Sequence, residues 1–264
     1  MSFSLWIDPS FGASGDMLLG AFSEMLDDPD QALFPLRNLP IEDWKIDFEE
    51  TLRNGLTATK ADVFHRETST ERKWSEIDVL LKESSLPHPV IEGSRRTFLI
   101  LAQVEAEQHG VTLDEVHFHE VGAVDAILDV VGTWLLRFAL EDEVGVIEEI
   151  AIGPVGIGSG SVKASHGTLP LPAPATIGIL KDCPVTNVST NSETCTPTGA
   201  ALLVSMVNRW GNIPNGYIRK SSRGAGTRNP AEYPNIISMV LTENSKTHKS
   251  SKTKYLIETN VDDV

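Results

Sequence analysis

"WKIDFEETLRNGLTATKADVFH", Trp44–His65, carries two alternating stretches joined through Asn54-Gly55. Alternation with a period of two reads as a half-buried strand. Asn-Gly between two such runs supplies a tight turn. The pattern predicts paired strands over Trp44–Glu50 and Ala58–His65. Two strands in succession, with no helix between them, point away from a regular strand–helix alternation.

Outward from this hairpin, "SLWID" (Ser4–Asp8) reads as a short buried strand, followed by a loop and a helix over Met17–Leu26. Downstream, Trp74–Lys82 reads as helical, and Pro89 suits the first turn of a helix ending near Gly110. A strand is expected around Val144–Ile152, then a Gly/Pro-rich segment, Gly153–Pro174. "TPTGAALLVSMVNRWG" predicts a helix with Thr196 as N-cap, Pro197 in its first position and Gly211 after its end. "GYIRKSSRGAG" and "NIISMVL" read as strands. The expected class is α+β: a mixed sheet with packed helices, forming a single main domain followed by a polar linker. The domain is expected over 1–242, the Ser- and Lys-rich linker over 243–254, and the truncated start of a second, C-terminal domain over 255–264.

Composition narrows the function. Of 264 residues, 41% are hydrophobic and 22% charged, which is globular, and the formal net charge is -15. Such a field disfavours nucleic acid and anionic membranes, so neither is an expected partner. The N-terminus lacks a basic, apolar leader pattern, and no apolar run reaches the roughly 18–20 residues that span a bilayer. Two cysteines, Cys183 and Cys195, make neither a disulfide framework nor a zinc spacing. A cytoplasmic location is expected.

The chemistry-bearing stretch is "VHFHEVGAVDAILDVVG", Val116–Gly132. If "VHFH" is extended, His117 and His119 share a side while Phe118 faces the other. Val124, Ile127, Leu128, Val131 and Leu135 form the core stripe of the following helix; Asp125 and Asp129 stack on a second face. Imidazole and carboxylate together suit nickel, zinc and similar ions. His117, His119, Glu120, Asp125 and Asp129 are therefore the candidate metal ligands. Solvated aspartates on an amphipathic helix and a helix-opening glutamate remain an equally simple account of the same residues.

Other segments offer ligand-binding groups. "DPSFGASGDM" places Asp8 at a strand end and Ser14, Gly15 and Asp16 at a helix start, where an anion, a cation or plain capping all fit. Arg219, Lys220, Arg223 and Arg228 form a local basic exception within an acidic chain, suited to an anionic ligand or simply balancing nearby surface acids. Thr196 and Thr198 open the "TPTGAA" helix, whose N-terminus would lower the pKa of Cys195; a buried structural cysteine is the alternative. Lys163 and His166 are the only cationic or titratable side chains in the Gly-rich segment, which does not match a phosphate-loop pattern.

Taken in order, "SFGASGDMLLGA", "VHFHEVGAVDAILDVVG", "HGTLPLPAPAT", "CTPTGAALL", "RGAGTRNPAEYPN" and "ETNVDD" resemble the LarC family of nickel insertion proteins, from about Ser4 to the last residue. The resemblance implies nickel insertion into pyridinium-3,5-bisthiocarboxylic acid mononucleotide, forming the nickel-pincer cofactor of lactate racemase and related enzymes. CTP and manganese or magnesium are expected only with the C-terminal domain, supplied in trans or by recoding. This chain alone is expected to be incomplete as an insertase. Within that frame the histidine–carboxylate group would take nickel, and Asp8, Ser14, Gly15, Asp16, Thr196, Thr198, Arg223 and Arg228 the anionic substrate. His166 or a carboxylate would accept the proton lost from the pyridinium carbon. A nickel- or nucleotide-binding module without chemistry, and a metal-dependent phosphohydrolase, are the alternatives from other classes.

Overall fold

The computed structural model describes residues 1–66, 72–118, 124–164 and 167–244. In chain order the described elements begin β1 (Phe3–Asp8), α1 (Gly15–Glu24), α2 (Pro29–Leu33), β2 (Trp44–Arg53) and β3 (Leu56–His65). Next come β4 (Arg72–Lys73), α3 (Trp74–Glu83), α4 (His88–His109), β5 (His117–Phe118) and α5 (Val124–Val144). Then follow β6 (Ile147–Ile152), β7 (Val155–Ile157), β8 (Gly160–Ala164), β9 (Gly167–Leu171) and α6 (Pro174–Ile179). The last are β10 (Val185–Asn187), α7 (Pro197–Met206), β11 (Arg209–Trp210), β12 (Gly216–Ala225) and β13 (Ile236–Asn244).

The main sheet runs β11-β6-β1-β13-β12-β3-β2. β1 pairs parallel with β6 and antiparallel with β13, and β12 pairs parallel with β3, so the sheet is mixed and the class is α+β as expected. Alternation sets its inner face: Phe3, Leu5 and Ile7 of β1 and Ile237, Met239 and Leu241 of β13 enter the core with α1, α4, α5 and α7. On the opposite face of β1, Ser4 bonds Asn244 and the Trp6 indole donates to the Gly211 carbonyl.

The hairpin closes tightly. Its register runs from Trp44↔His65 to Arg53↔Leu56, and Asn54 (φ 47°) and Gly55 (φ 79°) both sit at positive φ, the two-residue turn that matches strand twist. Both strands extend past the predicted limits up to that turn. α4 ends at Gly110 in the left-handed region (φ 65°), as a glycine stop should.

Three boundaries differ from expectation. α1 starts at Gly15 rather than Met17. The region expected as a strand from Val144 is still helical there, and β6 begins only at Ile147. α7 stops at Met206, well before Gly211. There Asn208 donates its backbone N–H to the Ile150 carbonyl and accepts the Ile150 N–H on its side chain, and Arg209–Trp210 pair with β6. Sheet pairing outcompetes the helical continuation that local propensity favours.

α1 crosses the sheet over β3 and β12. At Gly224 a Cβ would run into the Met17 carbonyl, so helix and strand backbones touch. This close crossing brings the N-terminus of α1 beside the middle of β3. Among the described residues, no helix is long and apolar enough to cross a membrane. β13 continues through Asn244, two positions into the expected linker; the rest of that linker and 255–264 lie outside the described residues.

Candidate functional site

Two helix starts, one helix face and one strand meet at a cleft of about 360 Å³ lined by Ser14, Gly15, Asp16, Lys60, Asp62, Asp125, Asp129, Thr196, Thr198 and Thr227. A contiguous recess of about 190 Å³ shares Ser14, Asp16, Thr196 and Thr227 and adds Glu193, Arg228 and Asn235. The two helix starts are tied together through the loop before α1. Ala13 bridges Cys195, the Thr196 N–H donates to the Ala13 carbonyl (2.9 Å), and the Thr196 hydroxyl caps α7 by accepting from the Gly199 N–H.

Lys60 is the organising charge. Its side chain is 8% exposed, and its ammonium meets Asp16 Oδ2 at 3.3 Å, Asp62 Oδ1 at 3.0 Å and the Ala61 carbonyl at 2.6 Å. An ammonium has three hydrogens, so these three acceptors saturate it. It holds the carboxylates in place and has no donor left for an incoming anion. Asp16 is further fixed by the Ser14 hydroxyl, by the Met17 N–H (2.9 Å) and by the Thr227 hydroxyl (3.1 Å).

Asp129 is the site's unsatisfied group. Its Oδ1 is buried without a hydrogen-bond partner. Burial, then the negative charges of Asp16 and Asp125, push its carboxyl well above the usual carboxylate range, with Lys60 pulling the other way. A buried anionic oxygen without a donor is costly, and a proton or a cation would relieve it. The carboxylates outnumber the single ammonium, so the cleft favours cations.

The candidate residues divide clearly. Asp125, Asp129, Ser14, Gly15, Asp16, Thr196 and Thr198 line the cleft, and Arg228 lines the recess, donating to the Glu193 carbonyl at 3.0 Å. Asp8, His117 and Arg223 are absent from both linings. Asp8 accepts the Ser10 N–H at the end of β1; His117 is exposed on β5 while Phe118 is buried; Arg223 is exposed, its backbone N–H held by Glu24. Arg219 and Lys220 are engaged by Glu243 and by Met25, Asp27 and Glu143, so the basic residues are dispersed rather than clustered. His119, Glu120 and His166 lie outside the described residues. Among the described residues, no three His, Cys, Asp or Glu side chains are grouped to hold a metal ion.

Cys195 is buried, and burial pushes its thiol up to about 12, overriding any help from the α7 terminus. That is the structural alternative rather than a reactive thiolate. Lys60 and Asp62 lie outside the motifs, and Thr227 lies within "RGAGTR" without being among the candidates. The available signal is that Lys60 and Asp62 are two apart on a strand, hence on one face. Arg53, also buried, donates from Nε and Nη2 to the Gly226 carbonyl at 3.0 and 2.7 Å and so anchors the loop carrying Thr227 and Arg228.

Residues 5–264 match the family model described as nickel insertion protein. The chain is 36% identical over its whole length to the pyridinium-3,5-bisthiocarboxylic acid mononucleotide nickel insertion protein of Staphylococcus saprophyticus, covering 66% of that relative. It is 33% identical over 98% of its length to the protein of that name from Geobacillus kaustophilus, again covering 66% of it. A Staphylococcus epidermidis relative of the same name is 34% identical over the whole chain, which covers 65% of it. The chain thus spans just under two thirds of the length of these curated relatives. No solved structure matches it. The match along almost the entire chain places this chain in the nickel insertion protein family.

Proposed function

We propose that this chain forms the nickel- and substrate-holding part of a protein that inserts nickel into pyridinium-3,5-bisthiocarboxylic acid mononucleotide during nickel-pincer cofactor biosynthesis. One observation carries the reading: residues of "SFGASGD", "VDAILD", "CTPTG" and "RGAGTR", far apart in sequence, line one cleft and its adjoining recess.

In this reading the acidic cleft draws the nickel ion toward Asp125 and Asp129, and His119 is the imidazole candidate to join them. The mononucleotide lies across the starts of α1 and α7, its anionic end toward Thr196, Thr198 and Arg228. As a ring carbon–hydrogen bond gives way to a carbon–nickel bond, the proton passes to a base. A carboxylate of the cleft not engaged by nickel, or His166, is the candidate. Lys60 serves to position Asp16 and Asp62. The dependence on CTP with manganese or magnesium, and any completion of insertion, we assign to the portion of the relatives beyond this chain.

The test is anaerobic. Purified chain is titrated with the mononucleotide and with nickel, then mixed with CTP, manganese and the remaining third of the Staphylococcus saprophyticus relative. Nickel-bound nucleotide is read by mass spectrometry. Binding by the chain alone, with product only in the mixture, is expected. Absence of mononucleotide binding together with absence of product would overturn the proposal. Binding without product in any mixture would favour a carrier module.

A further inference from the structure

A second cleft, of about 370 Å³, opens between α4, α5 and the turn after α7, and none of its lining residues belongs to the carboxylate cleft. Arg137, its innermost cation, lies about 12 Å further along the α5 axis than Asp129 at the helical rise per residue. The floor is Trp134, 4% exposed, whose indole N–H donates to Thr97 Oγ1 at 3.0 Å, with Thr97 in turn bonded to Ser205 at 2.8 Å. Gly93 of α4 lies directly against this ring, where a Cβ would enter it. The floor is therefore rigid.

Two guanidinium groups sit over that ring, Arg96 and Arg137, each 5.5 Å from the indole centroid. Arg96 is exposed, and among the described residues the indole face is its only partner. Arg137 is 17% exposed and touches Glu141 at 3.3 Å, yet its Nε–H is buried without an acceptor. Burial lowers its pKa, Glu141 works against that, and the neighbouring charge of Arg96 adds to the lowering, so the two cations stand close. The one acid in the lining, Glu92, is held by Arg95 at 2.9 Å. The lining itself thus holds two guanidinium groups and one carboxylate, with Glu141 beside Arg137 just outside it.

We propose that this cleft binds an oxyanion of the phosphate class, gripped by Arg96 and Arg137 above Trp134. Guanidinium forks match phosphate oxygens, and a ligand oxygen would satisfy the orphaned Arg137 Nε–H. The low exposure of Arg137 strengthens such bonds relative to a surface arginine. The volume falls within the range for small-molecule sites, so the phosphate has two possible sources: free phosphate or pyrophosphate, and the phosphate of a nucleotide.

Calorimetric titration of the full chain at low salt, with inorganic phosphate, pyrophosphate and the four ribonucleoside monophosphates as probes, tests this. Saturable binding is expected, weakened about tenfold or more by Arg96→Gln and by Arg137→Gln. Lys45→Gln removes the same charge at an exposed lysine outside the cleft, paired with Asp47 across 2.6 Å, and should shift affinity by less than about twofold. Arg96 is exposed, so its variant tests the site even if Arg137→Gln unfolds the chain. Nucleotide binding at least about tenfold tighter than phosphate assigns the site to nucleotides; equal binding assigns it to free phosphate. No saturable binding by any probe, or equal weakening by Lys45→Gln and Arg96→Gln, overturns the proposal.

Discussion

The Asp129 carboxylate of α5 lies directly against the Cα of Gly15, the first residue of α1, in the space that a side chain at position 15 would need. The contact sets how closely the two helices approach, and with it the width of the cleft between them. Gly15→Ala should force α1 and α5 apart. The expected cost is about 1–3 kcal/mol, the usual price of overpacking a close contact. Urea unfolding would measure it. The same variant should weaken mononucleotide binding, because Ser14 and Asp16 move with α1. An unchanged unfolding midpoint would mean that the Asp129 side chain swings away freely.

Removing the ammonium of Lys60 leaves Asp16 and Asp62 facing one another and Asp129 without compensation. Lys60→Met should destabilise the chain by about 1–3 kcal/mol, below the value for a fully buried pair because Asp62 is 37% exposed. The double variant Lys60→Met/Asp62→Asn should recover part of that loss. Lys60→Met should also bind divalent nickel more tightly than the parent, since carboxylates once held by the lysine become available. Unfolding in chelator, followed by nickel titration, separates the two effects. Weaker nickel binding in the variant would contradict the positioning role.

What the sequence discloses and what it hides follow the range of the interactions involved. The Asn54-Gly55 turn, the Pro and Gly limits of α4 and the Thr196–Pro197 start of α7 are legible because each is decided within a few residues. The end of α7 is not. Val207–Gly211 reads as more helix until β6 is beside it to accept Asn208 and Arg209. The aspartates of α5 are legible as a pair, but nothing local says that α1 will close over one of them. Lys60 is the clearest case: a lysine on a hairpin strand reads as solvent-facing, and only the crossing of α1 over β3 buries it.

The thiols supply a check on that packing. Cys195 is 3% exposed, and burial pushes it up to about 12, so at pH 8 it stays a thiol. Cys183 is partly exposed, and burial raises its pKa less completely, with Asp182 adding to the shift. A disulfide reagent at pH 8 should therefore titrate one thiol slowly in the native chain and both after denaturation. Peptide mapping should find Cys183 as the early product. Rapid native labelling of Cys195 would mean that the Ala13–Cys195 bridge opens readily.

Asp129 should leave a signature in the pH dependence of stability. Its carboxyl holds a proton more tightly in the folded chain than in the unfolded one, where it ionises near the ordinary value of about 3.9. Its contribution is therefore fully present below that value and is lost as pH rises through the raised folded value. Asp129→Asn has no proton to lose. The variant should match the parent near pH 4 and become the more stable of the two toward pH 8, with the gap opening as the parent is forced to ionise a buried carboxyl. Urea midpoints of both chains at intervals from pH 4 to pH 8, in chelator, measure this difference directly and cancel the acid sensitivity of the other carboxylates, which both chains share. A gap that stays constant or reverses would show that Asp129 is ionised and compensated throughout, with Lys60 outweighing burial.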